Sequence, residues 1–309
     1  MIKVENLTKT YGRTVAVDHV SFNVARGQIV GFLGPNGAGK TTTMRILSGF
    51  LPATGGTATI GGLDIFQDSV AVRRQIGYLP ESAPLYTEMR VDEYLLFRGR
   101  LKGLRRQRLR ERLDVVLSAC NLKEQRRAII GNLSKGFRQR VGLADSLIHE
   151  PPVLILDEPT IGLDPAQIRQ IRQLIKSLGG VHTVLLSTHI LSEVEMVCDQ
   201  VVIINKGRIV AAETTSGLMA LMRGSPQVVL EVVGPCDAVV AALQGVPGIS
   251  KVAGTSSEGR CSITCECADG CDVRSEIFAA VAANGWVLRE LRMERRNLED
   301  VFVELVREG

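Results

Sequence analysis

The segment that most limits how this chain can fold is "QIVGFLGPNGAGKTTTMRILSGF", residues 28–50. An aliphatic run, "QIVGFL", reads as a buried strand. A glycine-rich loop follows, then a stretch of helical character that ends near Gly49. Gly34, Gly39, Lys40 and Thr41 fit the spacing G-x-x-x-x-G-K-[ST], with Pro35, Asn36, Gly37 and Ala38 between the glycines and Thr42 next. Glycines let backbone N–H groups turn toward a phosphate without a Cβ in the way. The helix that follows turns its positive end to the anion. Lys40 has the reach for β- and γ-phosphates, and the Thr41 hydroxyl can hold Mg²⁺. A plain glycine turn with a surface lysine needs no strand before it and no helix after it; this segment has both.

A second stretch, "VLILDEPT" at 153–160, complements the first. Four aliphatics in a row predict a strand buried on both faces, as in a parallel sheet. Such a strand delivers its last residues to the ligand crevice at its carboxyl end. Two adjacent acids there, Asp157 and Glu158, would suffer desolvation and mutual repulsion unless a cation or a reacting proton needed them. Asp157 is expected to hold the Mg²⁺ water shell, and Glu158 to orient or deprotonate an attacking water as general base.

Around these two stretches the pattern is α/β. Residues 2–60 read as short strands, 91–150 as helices, and 153–212 as alternating strands and helices, which implies a parallel sheet. Polar and turn residues interrupt the pattern at 213–226. Beyond them the order strand, helix, strand, strand, helix, strand is the ferredoxin-like one, followed by a helix over "LEDVFVELVRE".

A chain of 309 residues has room for one large domain or two ordinary ones. Aromatics at 4% argue against a base-stacking surface, so no direct nucleic-acid partner is expected. The start, "MIKVENLTKT", lacks the apolar core of an export signal, and no apolar run is long enough to span a bilayer. Any membrane attachment is therefore expected to come from another chain. Seven cysteines without an export signal read as reduced thiols. Cys261, Cys265, Cys267 and Cys271 cluster; the first three share parity on one strand. Four thiolates can bind zinc or sense oxidants, but C-x₂-C spacing is missing, and small core residues are the plainer reading. Cys120 and Cys198 fall in apolar helix patterns and read as core. The arginine-rich run at 98–113 reads as a solvated helix with i,i+4 pairs to Glu111 and Asp114, or as a surface for acidic protein or lipid phosphates.

Further motifs in the same order resemble the ATP-binding cassette (ABC) family of ATPases, across residues 1–212. "LSKGFRQR", 133–140, resembles the family signature LSGGQ; Ser134 and Gly136 match, Lys135 and Phe137 depart. "IGLDP" puts Asp164 at the dimer-contact position, "STHIL" puts His189 at the switch-histidine position, and Tyr11 sits where the family stacks an aromatic on adenine. The resemblance implies ATP and Mg²⁺ as cofactors. It also implies a homodimer in which Ser134 and Gly136 of one copy meet the γ-phosphate held by the other. Glu81 departs from the family's usual glutamine, a contact of the Mg²⁺ shell and of the attacking water.

The combination "YLPE…PLY", "LSKGFRQRVGLA" and "NLEDVFVELV" resembles cassettes of ABC-2-type exporters, including gliding-motility-associated ones. The implied fold is a P-loop NTPase cassette over 1–213, with a RecA-like core, an antiparallel β subdomain and a helical subdomain at about 81–150. A linker at 214–222 and a small ferredoxin-like α+β domain at 223–309 complete it. The implied function is that of an ATP-hydrolysing subunit driving a separate integral membrane permease, peripheral on the inner face of the membrane. Two rivals are a non-transport cassette acting on ribosomes or DNA and a metal- or redox-sensing ATPase. A single phosphate loop and no sustained heptads count against the first.

Overall fold

The chain opens with two long strands, β1 (Ile2–Tyr11) and β2 (Thr14–Val24), which pair antiparallel around a turn at Gly12. The computed structural model describes residues 1–215, 217, 227–257, 260–268 and 271–294. After β3 (Ile29–Leu33) come α1 (Lys40–Leu47), β4 (Gly55–Ile60), β5 (Leu63–Asp64), α2 (Ser69–Gln75) and β6 (Ile76–Leu79). Three helices follow: α3 (Val91–Leu101), α4 (Arg106–Ala119) and α5 (Lys135–Leu147). The chain then alternates through β7 (Val153–Asp157), α6 (Pro165–Leu178), β8 (Thr183–Thr188), α7 (Leu191–Val197), β9 (Gln200–Asn205) and β10 (Arg208–Thr214).

Two sheets result. The first runs β2-β1-β4-β5 and is antiparallel; the second runs β10-β9-β3-β8-β7-β6, parallel except at β10. The strands β3, β7 and β8 are buried along their whole length, which is why "IVGFL", "VLILD" and "TVLLST" read as unbroken apolar runs rather than as alternation. In the first sheet only one face is buried: Ile2, Val4, Leu7, Val17, Val20 and Ile60 share a core with Phe32, Met44, Ile46 and Leu47. The helix α1 thus packs into the core that joins both sheets. Among α3, α4 and α5, α5 is the buried element, packed on α3, α4 and β6.

The chain divides into two compact units after Thr215. The second contains β11 (Gln227–Val233), α8 (Cys236–Gln244), β12 (Ile249–Ser257), β13 (Arg260–Cys267), α9 (Arg274–Ala283) and β14 (Val287–Glu294). Its sheet order is β12-β13-β11-β14, all pairs antiparallel. Val228, Leu230, Val232, Ile263, Val239 and Ile277 form its core. The expected helix over 298–308 lies outside the described residues, as does most of the 213–226 boundary.

The cysteines require one correction. Cys236 and Cys261 form a disulfide, with Cα atoms 5.2 Å apart, so the reading of reduced thiols throughout does not hold. The first residue of α8 lies over β13, a proximity invisible in the linear sequence. Cys261, Cys265 and Cys267 do share one face of β13 and are buried in the core, and Cys120 and Cys198 are buried as expected. Burial pushes the Cys265 thiol up to about 12. The charge pairs of α4 also differ from expectation. Glu111 pairs with Arg108 at i,i+3, while Asp114 pairs with Arg126 beyond the helix.

Candidate functional site

Four parallel strands end at one edge of the second sheet, and their register brings distant residues together. Leu33 pairs with Thr188, Asp157 with Ser187, and Leu79 with Leu156. The glycine loop after β3, the acid pair at the end of β7, the Ser187–His189 turn after β8 and Glu81 just past β6 therefore converge. This is the crevice beyond the carboxyl ends of strands where open α/β sheets bind ligands.

The loop is shaped by its glycines. A Cβ at Gly34 would lie 2.3 Å from the Ile204 carbonyl oxygen, and one at Gly39, where φ is 103°, would lie 2.4 Å from the Ala16 carbonyl oxygen. Neither position accommodates a side chain. The loop lines a cavity of about 340 Å³ together with Lys40, Thr41, Glu81 and Glu158. Lys40 Nζ donates to the carbonyls of Gly34 (2.8 Å) and Pro35 (3.2 Å) and lies 3.4 Å from Glu158 Oε1.

Asp157 is fully buried. Its Oδ1 accepts from the hydroxyls of Ser187 (2.5 Å) and Thr41 (3.3 Å), while its Oδ2 is buried with no hydrogen-bond partner. Burial pushes its carboxyl above the usual carboxylate range; the two hydroxyls oppose that shift, the charge of Glu81 adds to it and Lys40 opposes it. A buried acid with one orphaned oxygen, beside a threonine hydroxyl at the edge of a glycine-walled cavity, fits a divalent cation: the cation would offset the desolvation that the protein leaves uncompensated.

Glu158 adopts a left-handed backbone, φ 47°, rare for a non-glycine residue. Its N–H donates to Ser187 Oγ (3.0 Å) and to the Ser187 carbonyl (3.2 Å), which holds the turn. That turn aims the carboxylate into the cavity, between Lys40 and His189, whose Nδ1 lies 2.9 Å from Glu158 Oε2. An ionised carboxylate only accepts, so the imidazole nitrogen is the donor. A carboxylate so placed can accept a proton from a water in the cavity.

The remaining expected residues sit apart from this cavity. Ser134 is the N-cap of α5, its hydroxyl accepting from the Phe137 N–H at 3.4 Å. Asp164 caps α6, accepting from Ala166 (3.0 Å) and Gln167 (2.9 Å). Gly136 packs against the Gln167 side chain so closely that a Cβ would lie 2.3 Å from its oxygen. Ser134, Gly136 and Asp164 thus belong to two adjoining helix starts, and none of the three lines this cavity. Tyr11 ends β1, 48% exposed, with Lys9 Nζ 5.2 Å from its ring centroid; it pairs with Thr14, two residues before the cavity residue Ala16.

Sequence reasoning missed the supports. Ser187 bridges both acids. Thr188 donates to the buried Glu193 (2.8 Å) and accepts from the Ile190 N–H (3.1 Å), and Arg172 on α6 donates to the same Glu193 (3.2 Å). This network fixes the turn that carries His189. The only linear signal was two hydroxyl residues directly before that histidine.

Comparison with known proteins shows the family. A family profile described as "ABC transporter" matches residues 17–161. The chain is 32% identical over 306 residues to the linearmycin resistance ATP-binding protein LnrL of Bacillus subtilis (strain 168), covering 99% of this chain and 98% of that one. It is 36% identical over 306 residues to the daunorubicin resistance ATP-binding protein DrrA3 of Streptomyces coeruleorubidus, covering 98% and 95%. Among solved structures, the dimeric post-hydrolysis state of the ATP-binding cassette MJ0796 bound to ADP and Pi matches with a TM-score of 0.64 and 26% identity, over 70% of this chain and 99% of that one. The fold of residues 1–215 is that of an ABC cassette, a P-loop NTPase, and the chain belongs to the family of ABC transporter ATP-binding subunits.

Proposed function

We propose that this chain hydrolyses ATP as the motor subunit of an ABC-2-type exporter, pairing with a second copy and driving a separate membrane permease. The observation that carries the reading is the meeting of Lys40, Thr41 and Glu158 on one glycine-walled cavity, with Asp157 bonded to Thr41 and His189 to Glu158. In this reading the loop 34–42 and Lys40 bind the phosphates, and Tyr11 stacks on the base. Thr41 and Asp157, with Glu81 through water on the ion, would hold Mg²⁺, which when bound neutralises phosphate charge. Glu158 takes the proton of the attacking water and His189 holds its carboxylate in place. Ser134, Gly136 and Asp164 face the nucleotide of a second copy, which accounts for their distance from the cavity of their own chain. Dimeric cassettes among the structural neighbours support this pairing.

The domain plan follows: a cassette over 1–213, a linker at 214–222 and an accessory domain at 223–309. The strand order β12-β13-β11-β14 and the β-α-β-β-α-β succession support a ferredoxin-like fold for the accessory domain. Full-length relatives named for linearmycin and daunorubicin resistance favour antibiotic-like compounds as cargo. No helix among the described residues is long and apolar enough to cross a membrane, so in this reading the permease is another chain and this one is peripheral on the inner face.

The test is Glu158→Gln. The variant should bind MgATP with near-normal affinity and hydrolyse it roughly a hundredfold more slowly or worse. It should also elute at twice the monomer mass when loaded with ATP. Ordinary turnover by a monomeric variant would remove Glu158 from the base role and, with it, this reading of the site.

A further inference from the structure

We infer that Glu81 makes ATP retention by this chain conditional on a divalent cation, a refinement that rests on the ATPase reading above. The argument is one of charge around the cavity. Two carboxylates, Glu81 and Glu158, line it, and a third, Asp157, lies directly behind Thr41. Lys40 is the one cationic side chain among the lining residues, and its charge is already shared with Glu158 at 3.4 Å. Glu81 makes no ion pair among the described residues.

A triphosphate entering without a metal therefore meets more negative than positive charge. With a glutamine in place of Glu81 the same cavity would present a neutral amide and one carboxylate fewer. The second observation is the orphaned Oδ2 of the fully buried Asp157, which marks where positive charge is missing. No three His, Cys, Asp or Glu side chains among the described residues converge on a single metal position. Glu81 consequently acts through its field, and through water on the ion, rather than as a further direct ligand. Its energetic weight falls on the metal-free complex, because the bound cation cancels the repulsion that Glu81 creates.

The experiment measures binding rather than turnover. Affinity of the full-length chain for ATP is determined by titration calorimetry in Mg²⁺ and again with a chelator in excess, for the wild type, Glu81→Gln and Glu81→Asp. The ratio of the two dissociation constants is the readout. The wild-type ratio should exceed that of Glu81→Gln by about tenfold, mostly through tighter metal-free binding by the variant. Glu81→Asp should keep the wild-type ratio. Raising ionic strength should narrow the wild-type ratio more than that of Glu81→Gln, a measurement that needs the wild type first and survives a poorly folded variant. Equal ratios for wild type and Glu81→Gln, or a wild-type ratio indifferent to salt, overturn the inference. A wild type that fails to bind MgATP at all overturns the ATPase reading instead, and the inference falls with it.

Discussion

Ser187 shows how much of the site depends on a residue with no catalytic signature. Its hydroxyl donates to Asp157 at 2.5 Å and accepts from the Glu158 N–H at 3.0 Å, so one oxygen orients both acids. It also helps hold Glu158 in a left-handed conformation that costs of order 1–3 kcal/mol. Ser187→Ala removes both bonds and leaves Asp157 Oδ1 with only the longer Thr41 contact. The expected result is a loss of about 1–2 kcal/mol in stability and a fall in ATPase rate of roughly tenfold, with half-saturation at a higher Mg²⁺ concentration. Steady-state hydrolysis across a Mg²⁺ titration, alongside a urea melt, checks it; unchanged kinetics would mean that β7 alone positions the acids. Lys40, Asp157 and Glu158 were legible in the sequence because their chemistry is tied to local spacing. Ser187, Glu193 and Arg172 were not, because their partners are 30, 5 and 21 residues away and become neighbours only through strand register and helix packing.

At the scale of elements, the legible ones were those with a strong period. The buried strands, the helical stretch 91–150 and the alternation over 153–212 fall where the sequence placed them, while β5 and α2 went unread. These are short, contain little apolar repetition, and exist because β4 and the core offer them a place. Packing between α5 and β6 carries its own prediction. His149, just after α5, has Nε2 3.1 Å from the Ile76 carbonyl at the start of β6, which makes Nε2 the donor; its Nδ1 is buried without a partner. Burial, then the charge of Lys102, pushes the ring down from 6.5 to about 4. The unfolded chain therefore binds a proton that the folded chain refuses. The junction contributes fully above pH 6.5, and its contribution is lost as pH falls toward 4. Each unit of difference is worth about 1.4 kcal/mol, discounted for a ring that is only half-buried, so about 2 kcal/mol is at stake. Urea melts at pH 7.5, 6 and 5 should show a steeper decline for the wild type than for His149→Gln, which keeps a donor for Ile76 but has no proton to bind. Parallel declines would place the acid sensitivity elsewhere.

For the whole molecule, the succession strand, helix, strand, strand, helix, strand read beyond residue 226 is that of β11 to β14 with α8 and α9, but nothing in the sequence pointed to the covalent link among them. Absence of an export signal argued for free thiols, and parity grouped Cys261 with Cys265 and Cys267; neither consideration bears on a cysteine 25 residues upstream. The bond forms because α8 begins over β13 and because Gly254 on β12 leaves room: a Cβ there would lie 3.2 Å from the Cys236 sulfur. Nucleotide chemistry and disulfide chemistry thus fall in different units, the cavity in Met1–Thr215 and the Cys236–Cys261 bond after it. Closing a loop of this length removes enough freedom from the unfolded chain to stabilise that unit by about 3 kcal/mol. Saturating MgATP at about a hundred times its dissociation constant should stabilise the cassette by about 2.7 kcal/mol. Scanning calorimetry of the intact chain should accordingly resolve two transitions. Dithiothreitol should lower one, Cys236→Ser should lower the same one and abolish its response to reductant, and MgATP should raise only the other. A single transition moved by both agents would show instead that the two units unfold as one, so that the oxidation state of the second bears directly on the stability of the ATPase.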